Sequence, residues 1–142
     1  MRIAHGLLVY GVLAAVIMLS GCLGSKPVGQ NDLLYHNFTL AEVNGKPFSG
    51  EKIPNIQFNE GFRISGSVCN AYTGQAEMTG DTLSAPQLAS TKMLCFDQEL
   101  NELELAFGNM MMAGAKFRLE NGILTLEGEG YRLKFKNAAY VN

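Results

Sequence analysis

Apolar and polar positions alternate with a period of two along most of this chain, and switch once to a helical period. Phe38-Thr39-Leu40-Ala41-Glu42-Val43 alternates weakly and stops at Asn44-Gly45, which predicts a strand and then a turn. Ile56 and Phe58 alternate with polar neighbours, Asn59-Glu60-Gly61 intervenes, and Phe62 and Ile64 resume. A three-residue loop with glycine last predicts a hairpin closed by a bulge, and Gly66 continues that irregularity. Residues 71–78 read as one further strand, and 82–85 as a short one before Pro86. The clearest hairpin comes late. Phe117 to Glu120 and Ile123 to Leu126 flank Asn121-Gly122, the favoured type I′ pair. A two-residue loop sets Leu119 opposite Leu124 and Phe117 opposite Leu126, so turn chemistry and apolar pattern select one register. Tyr131, Leu133 and Phe135 then alternate with Arg132, Lys134 and Lys136, a strand with one dry and one wet face.

The helical period lies between these halves. Phe96, Leu100, Leu103, Phe107 and Met110 or Met111 follow the spacing of a core-facing helix stripe. Asp97 suits its N-cap and Gly114 its C-cap, while Glu99, Glu102 and Glu104 lie in the N-terminal half, where the helix dipole favours anions. Gly108 costs about 1 kcal/mol inside a helix. Burying the large stripe residues at about 1.5–3 kcal/mol each outweighs it. The expected fold class is α+β: a curved, mostly antiparallel β-sheet, open and barrel-like, wrapped on one amphipathic α-helix.

The start of the chain follows neither period. Arg2 and His5 precede an apolar run from Leu7 to Leu19 that carries no charge. At about 13 residues it is too short for a bilayer core, which needs roughly 20, and reads as the core of a secretory signal. It ends in Leu19-Ser20-Gly21-Cys22, which resembles the lipobox of bacterial lipoproteins. Small residues at 20 and 21 fit a narrow peptidase site, and the Cys22 thiol is the nucleophile that takes up diacylglycerol. The alternative is a plain secretory signal with a chance cysteine at the cut. The expected organisation is a signal peptide over 1–21, a lipidated N-terminus and polar tether over 22–35, and one globular domain over 36–142, with ordered structure starting between Asp32 and Phe38. Leu23 follows the cysteine where enteric inner-membrane lipoproteins commonly carry Asp. The expected location, in a Gram-negative host, is therefore the outer membrane, lipid-anchored and facing the periplasm.

Without Arg2, ten of the 11 Lys and Arg remain against 13 Asp and Glu, a net charge near −3. That balance offers no basic stripe along the sequence and argues against nucleic acid as a partner.

Four segments, in order, resemble the META domain family: Phe38-Thr-Leu-Ala-Glu-Val-Asn-Gly-Lys46, Gly66-Ser-Val-Cys-Asn-Ala-Tyr-Thr-Gly74, Ala89-Ser-Thr-Lys-Met-Leu-Cys95 and Leu100-Asn-Glu-Leu103. The resemblance runs from about Asn37 to Lys136; Phe38 stands where many relatives have Trp, and Leu94 where Ala is common. It implies a curved antiparallel sheet packed on a helix, residence in the cell envelope, and involvement in heat stress and in tolerance of novobiocin. It implies no established catalytic activity, no cofactor and no catalytic residues.

With Cys22 lipidated, Cys69 and Cys95 remain, an even number in an oxidising compartment. A structural disulfide is the leading reading, free buried thiols the second, redox or metal chemistry the third. Met110, Met111 and Met112 evoke a copper-binding methionine cluster, but consecutive helical residues point about 100° apart, so core packing or an adaptable groove wall is the better reading. Asn70 is expected to bond neighbouring backbone at a bulge, with a ligand contact as the alternative. No histidine accompanies a nucleophile elbow, so nucleophilic hydrolysis lacks a base and no enzyme is expected. Two functional readings follow. In the first, a cleft between helix and sheet, near Asn70, Tyr72, Met93, Met110 and Met111, binds a lipid or small apolar ligand. In the second, the domain docks on or assembles envelope proteins under stress, using an exposed strand edge or apolar patch.

Overall fold

The computed structural model describes Gly21, Gly24 and residues 26–140. Most of the predicted signal segment and Cys22 lie outside the described residues. The chain enters through a 3-10 turn at Gln30–Asp32 and then runs through β1 (His36–Val43), β2 (Lys46–Pro47), β3 (Asn55–Asn59), β4 (Arg63–Ser67), β5 (Ala71–Gln75), β6 (Glu77–Thr79), β7 (Thr82–Ser84) and β8 (Ala89–Ser90). The helix α1 (Gln98–Ala113) follows, and β9 (Ala115–Glu120), β10 (Ile123–Gly128) and β11 (Tyr131–Tyr140) complete the fold. All strands form one curled antiparallel sheet in the order β6-β7-β9-β10-β11-β1-β3-β4-β5-β8, with β2 paired to β1. The sheet does not close, and α1 fills its concave side. This is the expected α+β architecture.

The core follows from the two periods. Phe38 and Leu40 of β1, Ile56 and Phe58 of β3, Leu124 and Leu126 of β10, and Leu133 and Phe135 of β11 point inward, onto Leu100, Leu103, Phe107, Met110 and Met111 of α1. Leu33, within the stretch read as tether, is also fully buried. The Asn121-Gly122 hairpin has the expected register, Leu119 opposite Leu124 and Phe117 opposite Leu126, with both turn residues left-handed (φ 52° and 75°).

Three expectations change. The β3–β4 loop is Glu60-Gly61-Phe62, one residue later than predicted, because Asn59 pairs with Arg63 to keep Phe58 opposite Ile64. Phe62 accepts a left-handed φ of 60° and, in return, stacks on Phe58 at 5.6 Å inside the core. Residues 71–78 are two strands at opposite ends of the sheet, not one. Buried Ala76 makes the corner, its N–H donating to Phe62 O at 3.0 Å. The inward alternation Tyr72, Gly74, Ala76 runs unbroken through that corner, so no pattern marks it. Phe96 does not belong to the helix stripe. Asp97 caps α1 with its carboxylate accepting from Leu100 N at 3.2 Å, which leaves Phe96 before the helix and 97% exposed.

Every strand pairing is antiparallel, so successive turns alternate between two rims of the sheet. The entry segment before His36, the β3–β4 loop and Asn121-Gly122 share one rim. Asn44-Gly45, Val68–Asn70 and Glu129-Gly130 lie at the other.

Candidate functional site

Between β8 and α1 the chain has no regular structure, yet it is held at nearly every step. Thr91 N–H donates to Ala71 O at 3.0 Å, extending the β5–β8 pairing by one bond. Met93 is then gripped by the Asn70 side chain: Met93 N–H donates to Asn70 Oδ1 at 2.7 Å, and Asn70 Nδ2 donates to Met93 O at 3.1 Å. Cys95 is joined to Cys69 by a disulfide with the Cα atoms 6.0 Å apart. Cys95 O also accepts from Asn101 Nδ2 at 2.6 Å, one turn into α1. On the other side of the bridge, Lys52 Nζ donates to Cys69 O.

Asn70 is the centre of this arrangement. It sits in the Val68–Asn70 turn, is buried, and also accepts from Thr91 Oγ1 at 3.3 Å. Its main-chain N–H and its Nδ2 donate to the two oxygens of Glu104, at 2.6 and 2.7 Å. A buried amide satisfied in this way specifies geometry, since each of its donors would otherwise be stranded. All its side-chain polar atoms are used within the protein.

The clamped loop nevertheless holds large apolar side chains in solvent. Met93 is 76% exposed, Leu94 81% and Phe96 97%. Three such residues in a four-residue span are not the scattered apolar exposure common on protein surfaces. A disulfide and a buried amide network that hold them outward make a pre-organised apolar tip, because the ordering entropy of the loop is already met within the fold.

The residues singled out in the sequence therefore part company. Cys69, Asn70, Met93 and Cys95 meet in one place. Tyr72 is buried nearby, its hydroxyl donating to Asn55 O at 2.7 Å and its ring 5.0 Å from Phe107. Burial pushes its phenol well above the ordinary tyrosine range. Met110 and Met111 are fully buried elsewhere along α1. Met110 packs against Gly128, where a Cβ would come within 2.9 Å of its Cγ, and Met111 O accepts from Ala85 N–H at 2.7 Å. They form core, not the wall of a shared groove with Asn70, Tyr72 and Met93. Among the described residues no group of three or more His, Cys, Asp or Glu side chains converges as a metal site. Nor is any described helix long and apolar enough to cross a membrane. Cys22 lies outside the described residues.

The sequence pattern gives Glu104 only a place in the dipole-favoured half of the helix, and it counts Phe96 in the core stripe. One signal for Glu104 was available. It stands four residues after Leu100 and three before Phe107, on the flank of the buried stripe, where a carboxylate needs a partner.

Comparison with known proteins agrees with this architecture. The chain is 35% identical over 133 residues to heat shock protein HslJ of Escherichia coli (strain K12), covering 92% of this chain and 95% of that one. A structure determined by NMR superposes with a TM-score of 0.73 at 37% identity, over 81% of this chain and 99% of its own. An NMR structure of a protein from Burkholderia xenovorans shares the fold, with a TM-score of 0.61 at 18% identity over 84% of this chain and 95% of its own. Residues 31–140 match the META domain. By its sequence and its fold, the chain belongs to the META domain family.

Proposed function

We propose that this protein is a non-enzymatic envelope lipoprotein of the heat-stress response, anchored through Cys22 in the outer membrane, whose domain docks a protein partner on the Met93–Phe96 tip. The exposed apolar tip on a rigidly clamped loop is the observation that carries this reading. The heat-stress element draws on the 35% identity to a heat shock protein, and the anchor on the Leu19-Ser20-Gly21-Cys22 motif. Tolerance of novobiocin, implied by family resemblance, would follow indirectly, through an envelope whose proteins are better maintained.

Docking by the tip is favoured over an acyl ligand between helix and sheet, because Met110 and Met111 already fill that space. Full burial of Leu94 and Phe96 at an interface would contribute about 1.5–3 kcal/mol each before the cost of association. The test is a photo-crosslinking residue at Leu94 in heat-stressed cells, with the same probe at exposed Glu60 on the other rim as control. A discrete adduct with an identifiable envelope protein, lost in Phe96→Asp, is the expected result. Equal labelling at both positions would sink the docking reading. Native mass spectrometry that recovered a bound acyl chain would restore the ligand reading.

A further inference from the structure

The ten Lys and Arg beyond residue 21 are unevenly placed on the fold. Five stand on the solvent face of neighbouring strands: Lys116 and Arg118 on β9, and Arg132, Lys134 and Lys136 on β11. Their inward neighbours Ala115, Phe117, Leu133 and Phe135 are all buried, so the alternation of the strands points all five cations outward. Cross-strand pairing sets them in rows over β10: Lys116–Glu127–Arg132, Arg118–Thr125–Lys134 and Glu120–Ile123–Lys136. The acids on the solvent side of these strands and of the adjoining β1 are Glu120, Glu127 and Glu42. Glu127 faces Arg132 at 2.8 Å and Arg118 at 3.8 Å, and Glu42 faces Lys134 at 3.6 Å. Among the described residues neither Lys116 nor Lys136 is in an ion pair. An otherwise acidic chain thus carries one net-positive sheet face.

The N-terminal segment meets the fold beside it. Lys26, Pro27 and Val28 line one open cleft with Arg118, Leu119 and Glu120, beside Gly80 and Asp81. Lys26 and Asp81 add one charge of each sign. Cys22 is four residues before Lys26, within about 14 Å of chain. A lipid on Cys22 would bring its bilayer to this face and not to the opposite rim, where Asn70 holds the apolar tip.

We propose that the solvent face of β9–β11 rests on anionic phospholipid headgroups of the leaflet that holds the anchor, leaving the Met93–Phe96 tip pointed into the periplasm. This orientation rests on the lipoprotein reading, whereas the affinity of the face for headgroups does not. Clustered Lys and Arg are drawn to an anionic leaflet only within about a Debye length, roughly 10 Å at 0.1 M salt. A tether of at most about 14 Å lets the face settle that close to the headgroups.

The test uses the chain from residue 22 onward with Cys22→Ser, which keeps the whole described fold and removes the anchor. Partitioning onto phosphatidylcholine vesicles is expected to rise about tenfold when about a third of the lipid is phosphatidylglycerol, and to vanish near 0.5 M salt. Lys116→Glu with Lys136→Glu should abolish the rise. Arg63→Glu with Lys92→Glu makes the same change in net charge elsewhere and should preserve it. Equal partitioning with and without phosphatidylglycerol, or equal loss in both double variants, would overturn the proposal. The anchor is read separately, from the mass of the protein extracted from membranes. An unmodified Cys22 there would overturn the anchor and the orientation drawn from it, while the vesicle result would still judge the face.

Discussion

Glu104 on α1 accepts two hydrogen bonds from Asn70, one from its main-chain N–H at 2.6 Å and one from its side-chain amide at 2.7 Å. This fork fastens the helix to the β4–β5 turn, and the rest of the Asn70 amide then sets the path of the loop at Met93. Helix position, turn and apolar tip are coupled through one carboxylate.

Glu104→Ala should therefore destabilise the fold by about 2–4 kcal/mol, since it strands two donors of a buried residue. Urea unfolding would show it as a lower midpoint with an unchanged slope. A change below about 0.5 kcal/mol would mean that water replaces the carboxylate without loss.

Cys69 and Cys95 are separated by 26 residues. Replacing both with serine is expected to cost roughly 3–4 kcal/mol in the chain-entropy estimate. It should also free the 91–97 loop, read as faster amide exchange at Leu94 and Phe96. Slow exchange in the double variant would show that Asn70 suffices to hold the loop.

Two glycines predict opposite signs. A Cβ on Gly108 meets nothing within 4 Å, so Gly108→Ala should stabilise α1 by about 0.5–1 kcal/mol. A Cβ on Gly66 would lie 2.2 Å from Asn55 O and 2.8 Å from the Tyr72 hydroxyl. Gly66→Ala should cost about 1–3 kcal/mol or more, because backbone on the facing strand must move. Thermal unfolding of the pair would check both signs at once.

Tyr72 sets an alkaline limit. Its phenol titrates well above the ordinary value in the folded protein because burial disfavours the charged form. Below about pH 10 both states keep the proton and this group adds no pH dependence. Above it the unfolded chain ionises first, so stability falls as pH rises, by up to about 1.4 kcal/mol per pH unit. Tyr72→Phe should lose about 1 kcal/mol at neutral pH with the bond to Asn55 O, and should flatten that alkaline decline. Denaturation curves collected from about pH 8 to pH 11.5 would show whether the slope depends on this residue.

Phe96→Asp should change stability by less than about 0.5 kcal/mol, since the ring is 97% exposed. A loss comparable to a core truncation would show instead that the ring is buried against the fold.

Local chemistry determines much of this protein without reference to any tertiary contact. Asn121-Gly122 dictated its turn and the Leu119–Leu124 register, because left-handed backbone suits those residues and a one-residue slip would turn the apolar face outward. Asp97, Gly114 and the stripe from Leu100 to Met111 determined the helix in the same way. Other features depended on contacts between segments far apart in the chain. Ala76 turns the chain from one sheet edge to the other because Phe62 O waits for its N–H, a partner that no alternation pattern reveals. Glu104 is bound because the β4–β5 turn lies 34 residues away in sequence and beside it in space. Met93, Leu94 and Phe96 are apolar by composition, yet Asn70 and the disulfide hold them outward. Even the basic face is absent from the linear order, where its cations alternate with core residues, and arises only when β9 and β11 come to flank β10. Periodicity specifies which face of an element is dry, whereas the identity of its neighbours is set by long-range pairing and packing.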